Sequence, residues 1–402
     1  MSRVAETELG RHWKTVLASM VGVGFGASGL PFYSMGLFIK PLSAAFGWNR
    51  AQISVAGLCL QFGMVFAAPV VGFLVDRFGA RRVALISMLC LTLGLASLSG
   101  LKGDLMTLYV IWSALAVMAG GTTPVVWTRA INRCFNRQRG VALGLTLAGT
   151  GVAAIGAPIL LGPVIAGHGW RAGYLALAAV TALVALPMVA IFLRDAKPAA
   201  SEDVAPLEGA ALKEALGAFW FWRCGLGFMI IAGGVAALIL HLAPMLMDSG
   251  LSPQQAGGVA GMLGITIIVG RLCVGALVDR FPAAYVGMSF LILPAIACLL
   301  LTHGAPIPAA LLIGLAAGAE VDLLAYLVSR RFGMRNYGQI YGCQHALFSI
   351  GAGIGPVLLG AAHDRMGSYM GALNVDAVMI LAGALVIGSL RRGGPRLAQS
   401  PA

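Results

Sequence analysis

Twelve apolar runs, each about as long as a membrane span, follow one another along this chain. They fall near residues 15–40, 52–75, 83–101, 106–129, 140–166, 171–193, 219–246, 254–278, 284–302, 306–330, 338–362 and 370–390. About 20 mostly apolar residues cross the hydrocarbon layer as a helix, because a helix satisfies its own backbone hydrogen bonds there. Only 10% of the 402 residues are charged and 59% are hydrophobic, against about a quarter charged in a soluble domain. The expected fold class is therefore an all-α membrane protein. Residues 1–14 are polar and end in Arg11, His12 and Lys14. No small-residue cleavage site follows a short apolar core, so the first run reads as a retained span.

The net charge of +12 would suit a nucleic-acid binder if it lay on one surface, but it alternates with the spans instead. With the N-terminus inside, Lys40, Arg50, Lys102, Arg171 and Arg365 fall outside and Arg271 lies within a span; the other 21 of the 27 Lys and Arg lie inside. This is the positive-inside pattern for an even number of helices with both termini cytoplasmic. The basic charge sets topology, and no nucleic-acid partner is expected.

The chain also contains a copy of itself. At an offset of about 203 residues Pro41 meets Pro244, and Gly72-Phe-Leu-Val-Asp76-Arg77-Phe78 meets Gly275-Ala-Leu-Val-Asp279-Arg280-Phe281. Farther on, at about 198, Pro158-Ile-Leu-Leu-Gly162 meets Pro356-Val-Leu-Leu-Gly360. The long polar stretch 195–218, with Pro198, Glu202, Asp203, Pro206, Glu208 and Glu214, separates the copies. The expected organisation is a six-helix bundle over 1–194, a cytoplasmic linker over 195–218 and a second bundle over 219–402. Repeats of this kind hold a substrate between their halves near the midplane in secondary transporters.

Gly72-x-x-x-Asp76-Arg77-x-Gly79-x-Arg81-Arg82, between the second and third runs, resembles the loop signature of the major facilitator superfamily. The degraded copy at Gly275–Arg280, the twelve spans and the central linker agree with it. The second copy departs by having Pro282 in place of Gly79 and by lacking the arginine pair. Asp76 is suited to accept hydrogen bonds at a helix end and to pair with a cytoplasmic arginine. Gly72, Asp76, Arg77, Gly79, Arg81, Arg82, Asp279 and Arg280 are therefore the candidate conformational latch. Phe46-Gly-Trp48-Asn-Arg50, His241-Leu-Ala-Pro244, Tyr337-Gly-Gln-Ile-Tyr341-Gly342 and Arg271-x-x-x-Gly275 are similar to segments of the monocarboxylate and oxalate/formate transporter branch. In that branch an arginine of the eighth helix binds the substrate carboxylate. The resemblance implies a small organic anion as cargo, a monomer, and a home in a bacterial inner membrane.

Ionisable residues inside spans cost about 2.5–3.5 kcal/mol to insert and mark candidate sites. Arg271, Asp322 and His345 all lie about 10–12 Å from the cytoplasmic edge at 1.5 Å per residue. Arg271 offers a permanently charged planar fork to a carboxylate. Tyr326, one turn from Asp322, and His345 would orient the substrate, with Tyr33 and Thr123 lining the cavity where the first and fourth spans are interrupted. Asp322 and Glu320 are the candidate proton-coupling acids, although about 200° of helix separates them. The alternative structural role is a permanent clamp between Arg271 and one acid. The seven cysteines show no metal-ligand spacing, the glycine-rich stretches lack the lysine of a phosphate loop, and no nucleophile sits beside a base. No cofactor and no enzymatic activity are expected. Proton-driven export of hydrophobic or cationic compounds is the rival reading, because it too needs buried acids.

Overall fold

The computed structural model describes residues 8–392 apart from 49, 195–208, 249, 252 and 367. Most of the expected linker, 195–208, thus lies outside the described residues. Among the described residues sixteen α-helices make the fold: α1 (Glu8–Phe25), α2 (Leu30–Phe46), α3 (Arg50–Phe78), α4 (Ala80–Leu98), α5 (Leu105–Met118), α6 (Pro124–Cys134), α7 (Arg139–Val180), α8 (Leu186–Phe192), α9 (Leu212–Gly217), α10 (Phe219–Asp248), α11 (Pro253–Val278), α12 (Ala283–Leu291), α13 (Leu293–Thr302), α14 (Pro306–Phe332), α15 (Tyr337–Met366) and α16 (Met370–Gly388). Ten helical stretches among the described residues are long and apolar enough to cross a membrane. One of them, Arg139–Phe192, contains two spans, and the shorter Leu105–Met118 continues into α6, which brings the spans to twelve.

The bends have local causes. In α7 the helix turns at Gly169, whose φ of 81° and ψ of 174° only glycine adopts without strain. Its two arms return to the same face, since Glu8 accepts from the backbone N–H of Arg137 and Gln138 near the start of α7 while Trp13 packs on Phe192 at the end of α8. Asp104 caps α5 by accepting from the N–H groups of Met106 and Thr107; the Thr107 hydroxyl and these amides hold its carboxyl below the ordinary range. Large apolar side chains such as Phe66, Leu183 and Phe219 point outward, as expected when the outer solvent is lipid.

The first and fourth spans are both broken, and the breaks hold each other. Span four stops at Met118, passes a 3-10 turn at Gly120–Thr122 and restarts at Pro124. The Thr122 hydroxyl accepts the Ala27 N–H freed by the break in span one and donates to the Ala119 carbonyl, while Trp127 Nε1 donates to the Thr122 carbonyl. Thr122→Val keeps the volume but strands the buried Ala27 N–H, at a cost of about 1–3 kcal/mol. A lower unfolding temperature of the purified protein in detergent is the expected result, and no change would show that another group captures this amide.

The spans form two pseudo-symmetric six-helix bundles, α1–α8 and α10–α16. The face that carries Glu8, the 136–138 segment and the short α9 is called proximal below. Here the bundles meet at two equivalent crossings. A Cβ at Gly72 in α3 would overlap the carbonyl oxygen of Gly338 in α15, and a Cβ at Gly275 in α11 would overlap that of Gly140 in α7. Gly275 is the repeat partner of Gly72, and Gly338 follows Gly140 by 198 residues. The same close approach is therefore built twice.

Candidate functional site

The closed proximal face is held by acids capping helices of the opposite bundle. Asp76 accepts from the N–H groups of Gly338 (3.1 Å) and Gln339 (2.9 Å) at the start of α15. Asp279 accepts from Gly140 (2.8 Å) and Val141 (3.0 Å) near the start of α7. The first-turn amides of a helix have no partner inside it, and the helix dipole favours a negative charge there. Asp76 also pairs with Arg129 at 2.7 Å, with both side chains almost wholly buried. Three hydrogen bonds to one carboxylate offset the desolvation of this pair. Arg330 adds bonds to the Asn136 side chain and carbonyl, Arg139 donates to Ser329 Oγ, and Tyr337 donates to Thr128.

The arginines expected in the latch are not the ones that form these bonds. Arg81 donates to the Ala190 carbonyl within its own bundle, Arg77 lies over the Phe78 ring, and Arg82 and Arg280 are exposed. The motif arginines follow α3 and α11 out of the membrane, whereas Arg129 and Arg139 point into the seam. Gly79 has φ 88° and starts α4, so its part is the turn itself. By the positive-inside count alone, Arg129 and Arg139 read as topological charges. A signal in the sequence is that Arg139 directly precedes Gly140, whose repeat partner at an offset of 198 is Gly338.

About 10 Å deeper along α11, Arg271 donates through Nη1 to Asp322 Oδ1 at 2.5 Å, and both are buried. The contact depends on small residues. Gly314, Gly318 and Asp322 recur every four residues on α14, and a Cβ at Gly318 would meet the Arg271 N–H nitrogen at 3.0 Å. Arg271 also stands at the seam between bundles, since a Cβ at Gly144 of α7 would lie 2.6 Å from its carbonyl oxygen. Around the pair, several buried polar atoms have no hydrogen-bond partner among the described residues: Arg271 Nε, Asp322 Oδ2, Glu320 Oε1 and the Tyr341 hydroxyl, with His345 Nδ1 likewise open one turn beyond Tyr341 on α15. Tyr33 from the first bundle, Glu320 and Tyr341 all lie within electrostatic range of Arg271. Buried polar groups are almost always satisfied, so this concentration of open donors and acceptors is the feature that sets the region apart.

A ladder of rings climbs α15 from the closed seam into this cluster. Tyr337 and Tyr341 are parallel with centroids 5.4 Å apart, Tyr341 and His345 are parallel at 6.0 Å, and Phe348 continues the stack at 5.7 Å from His345. The repeat partners of Tyr341 and His345 are Leu143 and Leu147, and that of Arg271 is Ala68. The polar chemistry has thus been placed on one half of a symmetric frame.

Two expected lining residues are engaged elsewhere. The Tyr326 hydroxyl donates to the Val278 carbonyl at 2.9 Å, and Arg330 covers its ring. It belongs to the closed proximal layer, because one turn along α14 from Asp322 leads away from Arg271 toward the membrane edge. The Thr123 hydroxyl donates to the Gly120 carbonyl at 2.7 Å inside the break of span four. Glu320 is buried with Oε1 open and forms no ion pair with Arg271 among the described residues.

Comparison with known proteins agrees with this architecture. A family model described as the Major Facilitator Superfamily matches residues 21–356. Monocarboxylate transporter 11 of Homo sapiens is 28% identical over 410 residues, covering 95% of this chain and 84% of the relative. Among solved structures, the fucose:proton symporter FucP of E. coli aligns with a TM-score of 0.72 at 14% identity, covering 95% of this chain and 98% of that one. The human organic anion transporter MFSD10 aligns with a TM-score of 0.70 at 16% identity, covering 94% and 99%.

Proposed function

Because this chain belongs to the major facilitator superfamily, as the match over residues 21–356 establishes, we propose that it is a proton-coupled secondary transporter of a small organic anion, in particular a monocarboxylate, working by alternating access. The observation that carries the reading is the buried Arg271–Asp322 pair at the bundle seam, with Arg271 Nε left open. A guanidinium binds a carboxylate through two parallel N–H groups, and here one is held by an internal acid while another is free. Similarity to a monocarboxylate transporter supports the class of cargo.

In this mechanism Asp322 neutralises Arg271 while the site is empty. Substrate carboxylate takes over the guanidinium, with Tyr33, Tyr341 and His345 offering orienting hydrogen bonds. The displaced Asp322 would be an unpaired charge in a low-dielectric interior, so it takes up a proton. Glu320, open and near the same guanidinium, is the second acid available to carry one. Anion and proton then cross together with little net buried charge. The proximal face is taken as cytoplasmic on the distribution of Lys and Arg, so the conformation described is the one closed to the cytoplasm. Release follows when the Asp76 and Asp279 caps part. The protein is taken to act as a monomer in a bacterial inner membrane, with both termini cytoplasmic.

The test is uptake of labelled lactate, pyruvate, a 2-hydroxy acid and oxalate into proteoliposomes, with and without an inward proton gradient. Gradient-stimulated accumulation of one of these acids is the expected result. Proton-driven extrusion of a lipophilic cation with no carboxylate uptake would favour the exporter reading, which rests on the same buried acids Asp322 and Glu320.

A further inference from the structure

Between α3, α4 and α5, on the lipid-facing side of the first bundle, lies a groove of about 630 Å³. Its origin is the break in span four. Where α5 ends at Met118, the chain turns inward, and a Cβ at Gly121 would stand 2.5 Å from Ser87 Oγ. The wall that a continuous helix would have supplied is missing, and Val117 and Met118 close only the deep end. The sides are apolar and open outward, with Phe66 75%, Val70 57% and Ile86 66% exposed.

Arg82 is the one charged residue in the lining, and it stands at the proximal mouth in the first turn of α4. It is exposed and has no hydrogen-bond or ion-pair partner among the described residues. From Arg82 to Cys90 the groove runs about 12 Å into the membrane along α4, and from Phe78 to Phe66 about 18 Å along α3. A cation at the membrane edge above an apolar trough of this depth is complementary to an anionic headgroup joined to an acyl chain. We propose that the groove binds an anionic phospholipid of the proximal leaflet, with its phosphate on Arg82 and an acyl chain along Val70, Leu74 and Ile86. Because α3 ends in the Asp76 cap, a lipid seated against Phe78 and Leu74 also braces the helix that closes the proximal face.

The experiment is native mass spectrometry of the full chain in detergent, titrated with phosphatidylglycerol or with phosphatidylcholine of the same acyl chains. Wild type is expected to retain phosphatidylglycerol preferentially. Arg82→Gln should weaken it about fivefold, the value of one basic residue near a membrane surface. Val70→Trp, at a lipid-exposed position, should displace it without changing charge. Arg11→Gln removes a proximal charge away from the groove and should have no effect. Equal retention of both lipids would overturn the proposal. So would an equal loss in Arg11→Gln and Arg82→Gln, which would mark the attraction as diffuse. Displacement by inorganic phosphate alone, with Val70→Trp silent, would also overturn it, since the apolar groove would then play no part.

Discussion

Arg271→Ala is expected to abolish carboxylate uptake in proteoliposomes, and Arg271→Lys to reduce it by about one to two orders of magnitude. Removing one partner of a buried, hydrogen-bonded charge pair costs about 2–5 kcal/mol, which is about 30- to 5,000-fold in binding. Lysine restores the charge but not the planar fork, so it holds Asp322 or substrate but not both through parallel bonds. The alanine variant also strands Asp322 in the membrane interior, and lost expression would be ambiguous by itself. Arg271→Lys resolves this. A well-folded lysine variant with wild-type uptake at subsaturating substrate would remove the bidentate role and leave Arg271 as a clamp between α11 and α14.

The second large effect is expected at the bundle crossing. Gly72→Val should prevent the proximal face from closing, because the added Cβ would overlap the carbonyl of Gly338 and backbone cannot move aside like a flexible side chain. Overpacking of this kind costs about 1–3 kcal/mol, enough to shift a two-state equilibrium about 5- to 150-fold. Spin labels at Arg137 and Arg335, on opposite bundles at this face, would read the shift as a longer distance in a background free of the seven native cysteines. Gly156→Ala is the control, since no atom lies within 4 Å of the Cβ it would add. A short distance retained in Gly72→Val would mean that the crossing yields by sliding, and that the glycine pair is not what permits closure.

What the chain discloses before folding is set by how far each signal reaches. Spans are local, so hydropathy locates all twelve, and Gly169 marks the bend between the fifth and sixth. The cost of burying charge is also local, which is why Arg271, Asp322, Glu320 and His345 stand out in the sequence. Which acid touches Arg271 depends on how closely α11 and α14 approach, and that rests on Gly314 and Gly318, residues that look like any others in a glycine-rich chain. Tyr326 shares a helix face with Asp322, but a face extends over several turns, and the Val278 carbonyl captures its hydroxyl near the membrane edge. Arg129 and Arg139 were hidden for a different reason. A count of basic residues by side explains their presence fully, so nothing in it distinguishes an arginine that fixes topology from one that turns into the seam. Thr123 does mark the break in span four, yet its hydroxyl and that of Thr122 are spent on backbone groups at the breaks of spans one and four rather than on a cavity.

The central claim is that substrate displaces Asp322 from Arg271 and that Asp322 then takes up a proton. The most direct measurement is the proton uptake that accompanies carboxylate binding to the purified protein, followed by titration calorimetry in buffers of different ionisation enthalpy. Wild type is predicted to take up about one proton for each carboxylate bound, a stoichiometry that follows from conserving the charge of the buried site. Asp322→Asn, which keeps an oxygen to accept from Arg271, is predicted to bind with no proton uptake. Carboxylate binding by wild type without proton uptake, or uptake unchanged in Asp322→Asn, would contradict the account and would leave Arg271–Asp322 as a structural pair.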